Sequence, residues 1–310
     1  MQTLISPHKS VLLNEVSELF SGINGTFLDC TLGYGGHSYE ILKTNKNVNL
    51  IACDRDDEAI KFSEKKLEEF KDRVKIYKSN FSNLIKILNT QEIKNIRGIL
   101  ADIGVSSLQL DKDDRGFSIN SKSLDMRMDK SSNLSAYDVV NTYSKDDLAK
   151  IFFEYAELKN AKFLAEKIVN ERKNAPITTA KQLSNLIGSK KFGTRAINPA
   201  ILAFQAIRIE VNNELGELKE LLNSIKTANL NDCLVCIISF HSLEDRIVKN
   251  TFKEWATSCI CPPNALRCEC GDNHALGEIV TKKAITPSKA EILENSRSSC
   301  AKLRAFRIKQ

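Results

Sequence analysis

The sequence predicts an α/β protein: an open, largely parallel sheet interrupted by a mainly helical insertion. Three observations predict it. Short apolar runs alternate with helix-like stretches through the first third of the chain, the alternation stops after Gly104, and the apolar run CLVCIISF at 233–240 resumes it. Alternating strands and helices imply right-handed βαβ units with strands buried on both faces.

Residues 26–32, 49–54, 74–79 and 97–103 read as strands, and 36–44, 57–70 and 81–89 as the helices between them. For roughly the next hundred residues, helical spacings and polar loops occur without a convincing buried strand. After 233–240, segments 278–285 and 301–308 read as a closing pair of strands. The expected domains are therefore 1–108 and 211–310 for the sheet, in two parts, and 109–210 for the insertion. A single helix bridges back to the sheet: Asn198 can cap it, Pro199 suits its first position, and Phe204, Ile207, Val211, Leu215, Leu218 and Leu222 follow three or four apart.

With 310 residues and 42% hydrophobic content, a sizeable core is expected. No apolar run is long enough to cross a bilayer and the first residues carry no export signal, so the expected location is cytoplasmic. Nine cysteines without such a signal imply reduced thiols. The net charge of +6 equals the excess of the tail from 282 to 310, where eight Lys or Arg stand against Glu291 and Glu294. That suits a surface meeting phosphates, the alternative being a solvated basic face without a partner.

The segment LDCTLGYGGHS at 28–38 is a strand running into a glycine-rich turn and a helix, which lets backbone approach a ligand. It departs from the dinucleotide fingerprint, because Ser38 occupies the third glycine position counted from Gly33. Asp54 ends the second strand, where a carboxylate can accept both ribose hydroxyls of an adenosine; capping the next helix is its alternative role. Asn80-Phe81 and Asp102-Ile103-Gly104-Val105-Ser106-Ser107 end the third and fourth strands at the same edge, so Phe81 and Asp102 can flank an adenine or methionine moiety. Together these strand ends point to a nucleoside site.

The motifs HKSVLLNEV (8–16), GGHS (35–38), DIGVSSLQL (102–110), RGFS (115–118), LDMRMD (124–129), FQAIRI (204–209), ISFHSLEDR (238–246) and SCAKLR (299–304) follow one another in an order that resembles the ribosomal RNA small subunit methyltransferase H, or MraW, family. The resemblance runs nearly end to end. It implies a class I (Rossmann-like) S-adenosylmethionine-dependent methyltransferase sheet with an inserted helical domain. It further implies N4-methylation of a cytidine in the decoding region of 16S rRNA in the small ribosomal subunit. Carried over by motif, the S-adenosyl-L-methionine contacts are Gly35, Gly36, His37, Asp54, Phe81, Asp102 and Gln109, the last from the resemblance alone. Two departures concern RNA contact: Asn120-Ser121-Lys122-Ser123 replaces a DGP-like loop, and Asn198 stands where the family has His.

The cytosine amine is a weak nucleophile because its lone pair is delocalised, so positioning and electrostatics must lower the barrier. His241, at the end of the strand 233–240, is the candidate catalytic residue, with Ser242 and Asp245 as a helix-capping pair. An unpaired or flipped base is required, and Arg115, Arg127, Arg208 and the basic tail are candidates for phosphate contact. The expected partner is therefore 16S rRNA in the small subunit, with no membrane and the chain a monomer or homodimer. Cys259, Cys261, Cys268 and Cys270, around Pro262 and Pro263, form C-x-C-x6-C-x-C. This spacing is tighter than the usual C-x2-C, and a metal-free loop is the favoured reading, zinc the alternative. The rival functions are a methyltransferase attacking carbon 5 of cytosine through a cysteine, a noncatalytic RNA-binding module, and a nicotinamide oxidoreductase.

Overall fold

Strands that are apolar on both faces must be covered on both faces, and the chain does this with helices. The computed structural model describes residues 9–105, 107–188, 198–262 and 267–309. The first part runs α1 (Leu13–Phe20), β1 (Gly25–Asp29), α2 (Gly36–Thr44), β2 (Val48–Asp54), α3 (Asp57–Lys66), β3 (Val74–Lys78), α4 (Leu84–Ile87), α5 (Thr90–Lys94) and β4 (Ile96–Asp102). Then come α6 (Ser107–Asp111), α7 (Ala136–Thr142), α8 (Lys145–Ala156), α9 (Ala161–Glu171), α10 (Ala180–Ile187) and α11 (Pro199–Asn212). The chain ends with α12 (Glu214–Thr227), β5 (Cys233–Ser239), α13 (Ser242–Trp255), β6 (Gly277–Ile279), α14 (Lys289–Glu294) and β7 (Lys302–Ile308).

The seven strands form one sheet in the order β3-β2-β1-β4-β5-β7-β6. Pairing from β3 through to β5 is parallel, and β7 runs antiparallel to both β5 and β6. Alternation along the strands divides the core in two. Leu28, Ile51, Cys53, Ile99, Ala101, Val235 and Ile237 belong to one cluster, while Phe27, Leu50, Ala52, Leu100, Leu234, Cys236 and Ile238 belong to the other. Strand order reverses between β1 and β4, the position at which an open α/β sheet offers a crevice at its carboxyl edge.

Several boundaries differ from the sequence reading. The helix expected over 81–89 is divided, because Asn89 adopts extended backbone to cap α5: its side chain accepts from Glu92 N at 3.0 Å and Glu92 returns a bond to Asn89 N. The helix expected over 57–70 stops at Lys66 and a 3-10 stretch follows over Glu68–Arg73. The strand expected over 278–285 shrinks to β6, because Val280 and Thr281 both donate to Ala305 O and break the ladder; Ile285 then forms only a bridge to Leu303. Gly277 lets β6 approach, since a Cβ there would lie 1.9 Å from Arg307 O.

The chain divides into two compact units, Met1–Gly104 with Gly216–Gln310, and Val105–Leu215. The division falls after Gly104 rather than residue 108, and after Leu215 rather than residue 210. No strand occurs among the described residues of 105–215. The single bridging helix expected from Asn198 is two helices: Asn213 sits at φ 48° between α11 and α12, the left-handed conformation that Asn tolerates. Phe204, Ile207 and Val211 of the expected stripe pack in the inserted unit's core, Leu218 and Leu222 in a core of the sheet unit.

The inserted unit is held from within by Asn212. Its buried amide accepts from Met128 N at 2.8 Å and donates to Met126 O at 2.8 Å and Arg208 O at 2.9 Å. An Asn212→Ala substitution strands the Met128 N–H and Met126 carbonyl in the interior and is expected to cost about 2–4 kcal/mol. Urea unfolding of the full chain measures it; a loss below about 0.5 kcal/mol would show that these bonds do not hold the segment.

Candidate active site

At the end of β1 the chain must turn sharply before α2, and Gly33 and Gly35 do so at φ 51° and 66°. Gly35 N donates to Leu32 O at 2.8 Å, and Ser63 Oγ holds Gly33 O at 2.7 Å. Gly36 opens α2 against Ser10, whose Oγ would lie 1.9 Å from a Cβ, so no larger residue fits unless Ser10 moves. Ser38, in place of a third glycine, has a use of its own: its hydroxyl donates to Asp29 Oδ2 at 2.5 Å. Asp29 Oδ1 accepts from Thr31 N at 3.1 Å. Burial pushes the Asp29 carboxyl up to about 6 despite the Ser38 bond and nearby His37.

Asp54 ends β2 facing the same turn. Its Oδ2 accepts from Gly33 N at 2.8 Å and its Oδ1 from Asp56 N at 2.9 Å. Burial raises its pKa, with the two backbone donors opposing. The cap of α3 is Asp56, which accepts from Glu58 N at 3.0 Å, so Asp54 is released from that alternative role. Asp102 ends β4, its N–H donating to Thr31 Oγ1 at 2.7 Å. His37 Nε2 stands 3.6 Å from Asp102 Oδ2, too far for a hydrogen bond. Both nitrogens of the buried His37 ring, and Asp102 Oδ1, have no hydrogen-bond partner among the described residues. Each such buried group costs about 1–3 kcal/mol, so three at one strand edge fit a polar ligand that completes them. Phe81, also buried, begins the turn after β3.

Gly35, Gly36, His37, Asp54, Phe81 and Asp102 therefore all belong to the sheet unit, on or just after the carboxyl ends of β1 to β4. Gln109 belongs to the inserted unit, buried on α6. Ser106, read with the fourth strand end, lies outside the described residues, as do His8 and Pro263. The sequence reading gives Asp29 and Thr31 no role and takes Ser38 only as the departure from the dinucleotide fingerprint, although an Asp just before the glycine turn is a usable signal. Glu217, which accepts from Ser82 behind Phe81, had none.

His241 is a helix cap. Its Nδ1 accepts from Glu244 N at 3.4 Å, Glu244 Oε2 accepts from the N–H groups of Phe240 and His241, and His241 Nε2 lies 3.1 Å from Glu244 Oε1. This corrects the expected Ser242–Asp245 pair. Asp245 instead meets Arg304 at 2.6 Å and Lys302 at 3.3 Å; burial would raise its carboxyl, but these cations hold it below its ordinary value. Phe240 packs at the end of β5 beside Gly104, where a Cβ would come within 3.0 Å of its ring.

The candidate phosphate-binding arginines are engaged elsewhere. Arg115 is buried and donates to Met128 O, Arg127 forks onto Asp125, and Arg208 onto Glu214 at 2.7 and 2.8 Å. In the basic tail, Lys302, Arg304, Arg307 and Lys309 pair with Asp245, Asp232 and Glu278, and Lys282, Lys283, Lys289 and Arg297 are exposed. Cys30, Cys53, Cys233 and Cys236 are buried free thiols, all pushed up by burial and thus poor nucleophiles. Among the described residues, no helix is long and apolar enough to cross a membrane.

The sheet order, glycine turn and row of strand-end carboxylates are those of a Rossmann-like α/β fold with a nucleoside-type strand edge, and the matching family model makes the class a methyltransferase. The chain belongs to the MraW methylase family, whose model matches residues 5–309. It is similar to proteins named Ribosomal RNA small subunit methyltransferase H. The Campylobacter curvus protein is 67% identical over 98% of this chain and 99% of its own length, and the Campylobacter concisus protein 64% identical over the same shares. The Campylobacter jejuni serotype O:6 protein is 55% identical over 97% and 96% respectively.

The raised Asp29 carboxyl has a measurable consequence. Below its unfolded value of 3.8 it is protonated in both states; as the pH rises towards about 6 the unfolded chain ionises first, so Asp29's contribution to stability is lost across this window. Asp29→Asn is expected to remove that slope, so that stability relative to wild type improves by roughly 2–3 kcal/mol between about pH 4 and pH 7. Urea unfolding of both proteins across the range tests this, and parallel stability curves would refute the raised value.

Proposed function

We propose that the chain transfers a methyl group from S-adenosylmethionine to the N4 amine of a cytidine in the decoding region of 16S rRNA, within the small ribosomal subunit. The observation that carries the cofactor half of this reading is the row of Asp54, His37 and Asp102 at one sheet edge, two of them with buried polar atoms unpaired. The names of the relatives support small-subunit rRNA as the substrate. The resemblance across the motifs supports N4 of cytidine.

Asp54 would accept the ribose hydroxyls on lone pairs left over by the Gly33 and Asp56 N–H groups, a carboxylate having about four such sites. Phe81 would pack beside the adenine, and His37 and Asp102 would gain partners from the adenine or methionine moiety. Gly35 and Gly36 keep the backbone close, and Gln109, in the inserted unit, is carried over from the family motif alone. The bound cofactor supplies an electrophilic methyl group on a sulfonium sulfur. The protein's task is then to hold the exocyclic amine in line and to accept hydrogen bonds from it as the nitrogen pyramidalises. Phe240, at the adjoining strand end, offers a ring against which a flipped base can stack.

We assign His241 a positioning role instead of proton transfer, because its Nδ1 is taken by the Glu244 N–H and the cap fixes the backbone of Phe240, while its Nε2, 3.1 Å from Glu244 Oε1, makes no hydrogen bond among the described residues. His241→Asn, which preserves a capping acceptor, is expected to keep kcat within about tenfold, whereas His241→Ala lowers stability by about 1 kcal/mol and raises KM. A loss of a hundredfold or more in kcat for a stably folded His241→Asn would restore the catalytic role.

Methyl transfer from labelled S-adenosylmethionine to small subunits from cells lacking the protein, followed by nucleoside analysis, tests the whole reading. Label in N4-methylated cytidine is expected. Label at carbon 5, or in another nucleoside, would overturn the target assignment, and cofactor binding without transfer to any substrate form would favour a noncatalytic RNA-binding role. Asp102→Ala is expected to weaken cofactor binding tenfold or more in calorimetry; unchanged affinity would remove Asp102 from the site.

A further inference from the structure

The segment between α13 and β6 carries a second chemical centre in the sheet unit that plays no part in the methylation reading. Cys259, Cys261, Cys268 and Cys270 bring their four sulfurs within 4.8 Å of one another. Cys259 and Cys268 are 3.7 Å apart, Cys268 and Cys270 3.6 Å, and Cys270 and Cys259 3.7 Å. These separations exclude covalent pairing, since bonded sulfurs lie about 2.05 Å apart. They match a tetrahedron around one ion, because metal–sulfur bonds of about 2.3 Å set neighbouring thiolates about 3.8 Å apart. Thiolates serving a multi-iron cluster bind separate irons and would stand farther apart.

The backbone is arranged for thiolates as well. Ile260 N, inside the first C-x-C, donates to Cys270 Sγ at 3.3 Å, and Glu269 N, inside the second, donates to Cys261 Sγ at 3.3 Å. The two pairs therefore reciprocate across the cluster in a near-symmetric way. Hydrophobic burial does not explain the gathering: Ile260 is 63% exposed and Cys268 is on the surface. The loop is pinned at its base by Leu276 N to Trp255 O at 2.8 Å, His274 N to Ser258 O at 3.0 Å, and Ser258 Oγ to Asp272 Oδ1 at 2.6 Å.

We propose that Cys259, Cys261, Cys268 and Cys270 bind one Zn²⁺ ion as a closed, four-thiolate structural site that fixes the connection from α13 to the edge strand β6. This replaces the metal-free loop favoured from the tight C-x-C spacing. With four protein ligands the ion keeps no open position for water or substrate, so its effect is on stability instead of chemistry. Binding couples to deprotonation of the thiols, and removal of the ion leaves four crowded sulfurs with no core to hold them.

The test is elemental analysis of the full chain, purified without a histidine tag or chelator and under reductant, with a thiol-reactive organomercurial to release bound metal. About one zinc per chain is expected, lost in Cys268→Ser/Cys270→Ser and retained in the control Cys300→Ser, which alters an exposed cysteine outside the cluster. X-ray absorption at the zinc edge should show sulfur neighbours alone, near about 2.3 Å. Removing the metal is expected to lower Tm by several degrees, restored by added Zn²⁺ and not by Mg²⁺. Less than about a tenth of an equivalent after Zn²⁺ addition to reduced protein, iron in place of zinc, zinc retained by the double variant, or nitrogen neighbours in the absorption spectrum would each overturn the assignment.

Discussion

The strand edge depends on one placement: β1 lies parallel between β2 and β4, with Asp29 in register with both Ala52 and Leu100. The next strand in sequence lies to one side of β1 and the later one to the other, so the connections leaving their carboxyl ends diverge. That divergence is where an open α/β sheet offers a crevice without any side chain being spent on it. Period-two alternation then places apolar atoms against helices on both faces, and only the strand ends remain to carry polar groups. Asp29, Asp54 and Asp102 are those ends.

Three carboxylates at one edge strain the fold, and the strain is distributed unequally. Asp29 is satisfied internally by Ser38 and Thr31, and burial pushes its carboxyl up to about 6. Asp54 divides its oxygens between the N–H groups of Gly33 and Asp56, which aim it across the glycine turn. Asp102 and His37 retain unpartnered buried atoms. Sites that bind ligands commonly retain such incomplete bonding, and the rest of the molecule must compensate for it. Asp29 supports the turn, while Asp54, His37 and Asp102 are the groups that the proposed cofactor site uses.

The strands, the division of the sheet and the row of strand ends were legible in the sequence because they rest on periodicity and position, which are local properties. What stayed hidden depended on choices between partners. Ser242 and Asp245 had the spacing of a cap, yet His241 and Glu244 make it, and Asp245 is taken by Arg304 from a strand 59 residues away. The bridging stripe looked continuous because helical spacing is blind to the single left-handed residue Asn213. The basic tail reads in sequence as a phosphate-facing surface or a solvated basic face, and that Lys302, Arg304, Arg307 and Lys309 meet acids from elsewhere in the chain depends on the fold. The cysteine cluster was visible as spacing, while its sulfur separations and reciprocal N–H bonds are three-dimensional facts.

A crystal structure of the chain with S-adenosylhomocysteine tests the central claim most directly. Ribose hydroxyls within hydrogen-bond distance of Asp54, and new polar partners for His37 and Asp102, are the expected result. A nucleoside bound away from the carboxyl ends of β1 and β4, or bound there with Asp54 and Asp102 untouched, would contradict it.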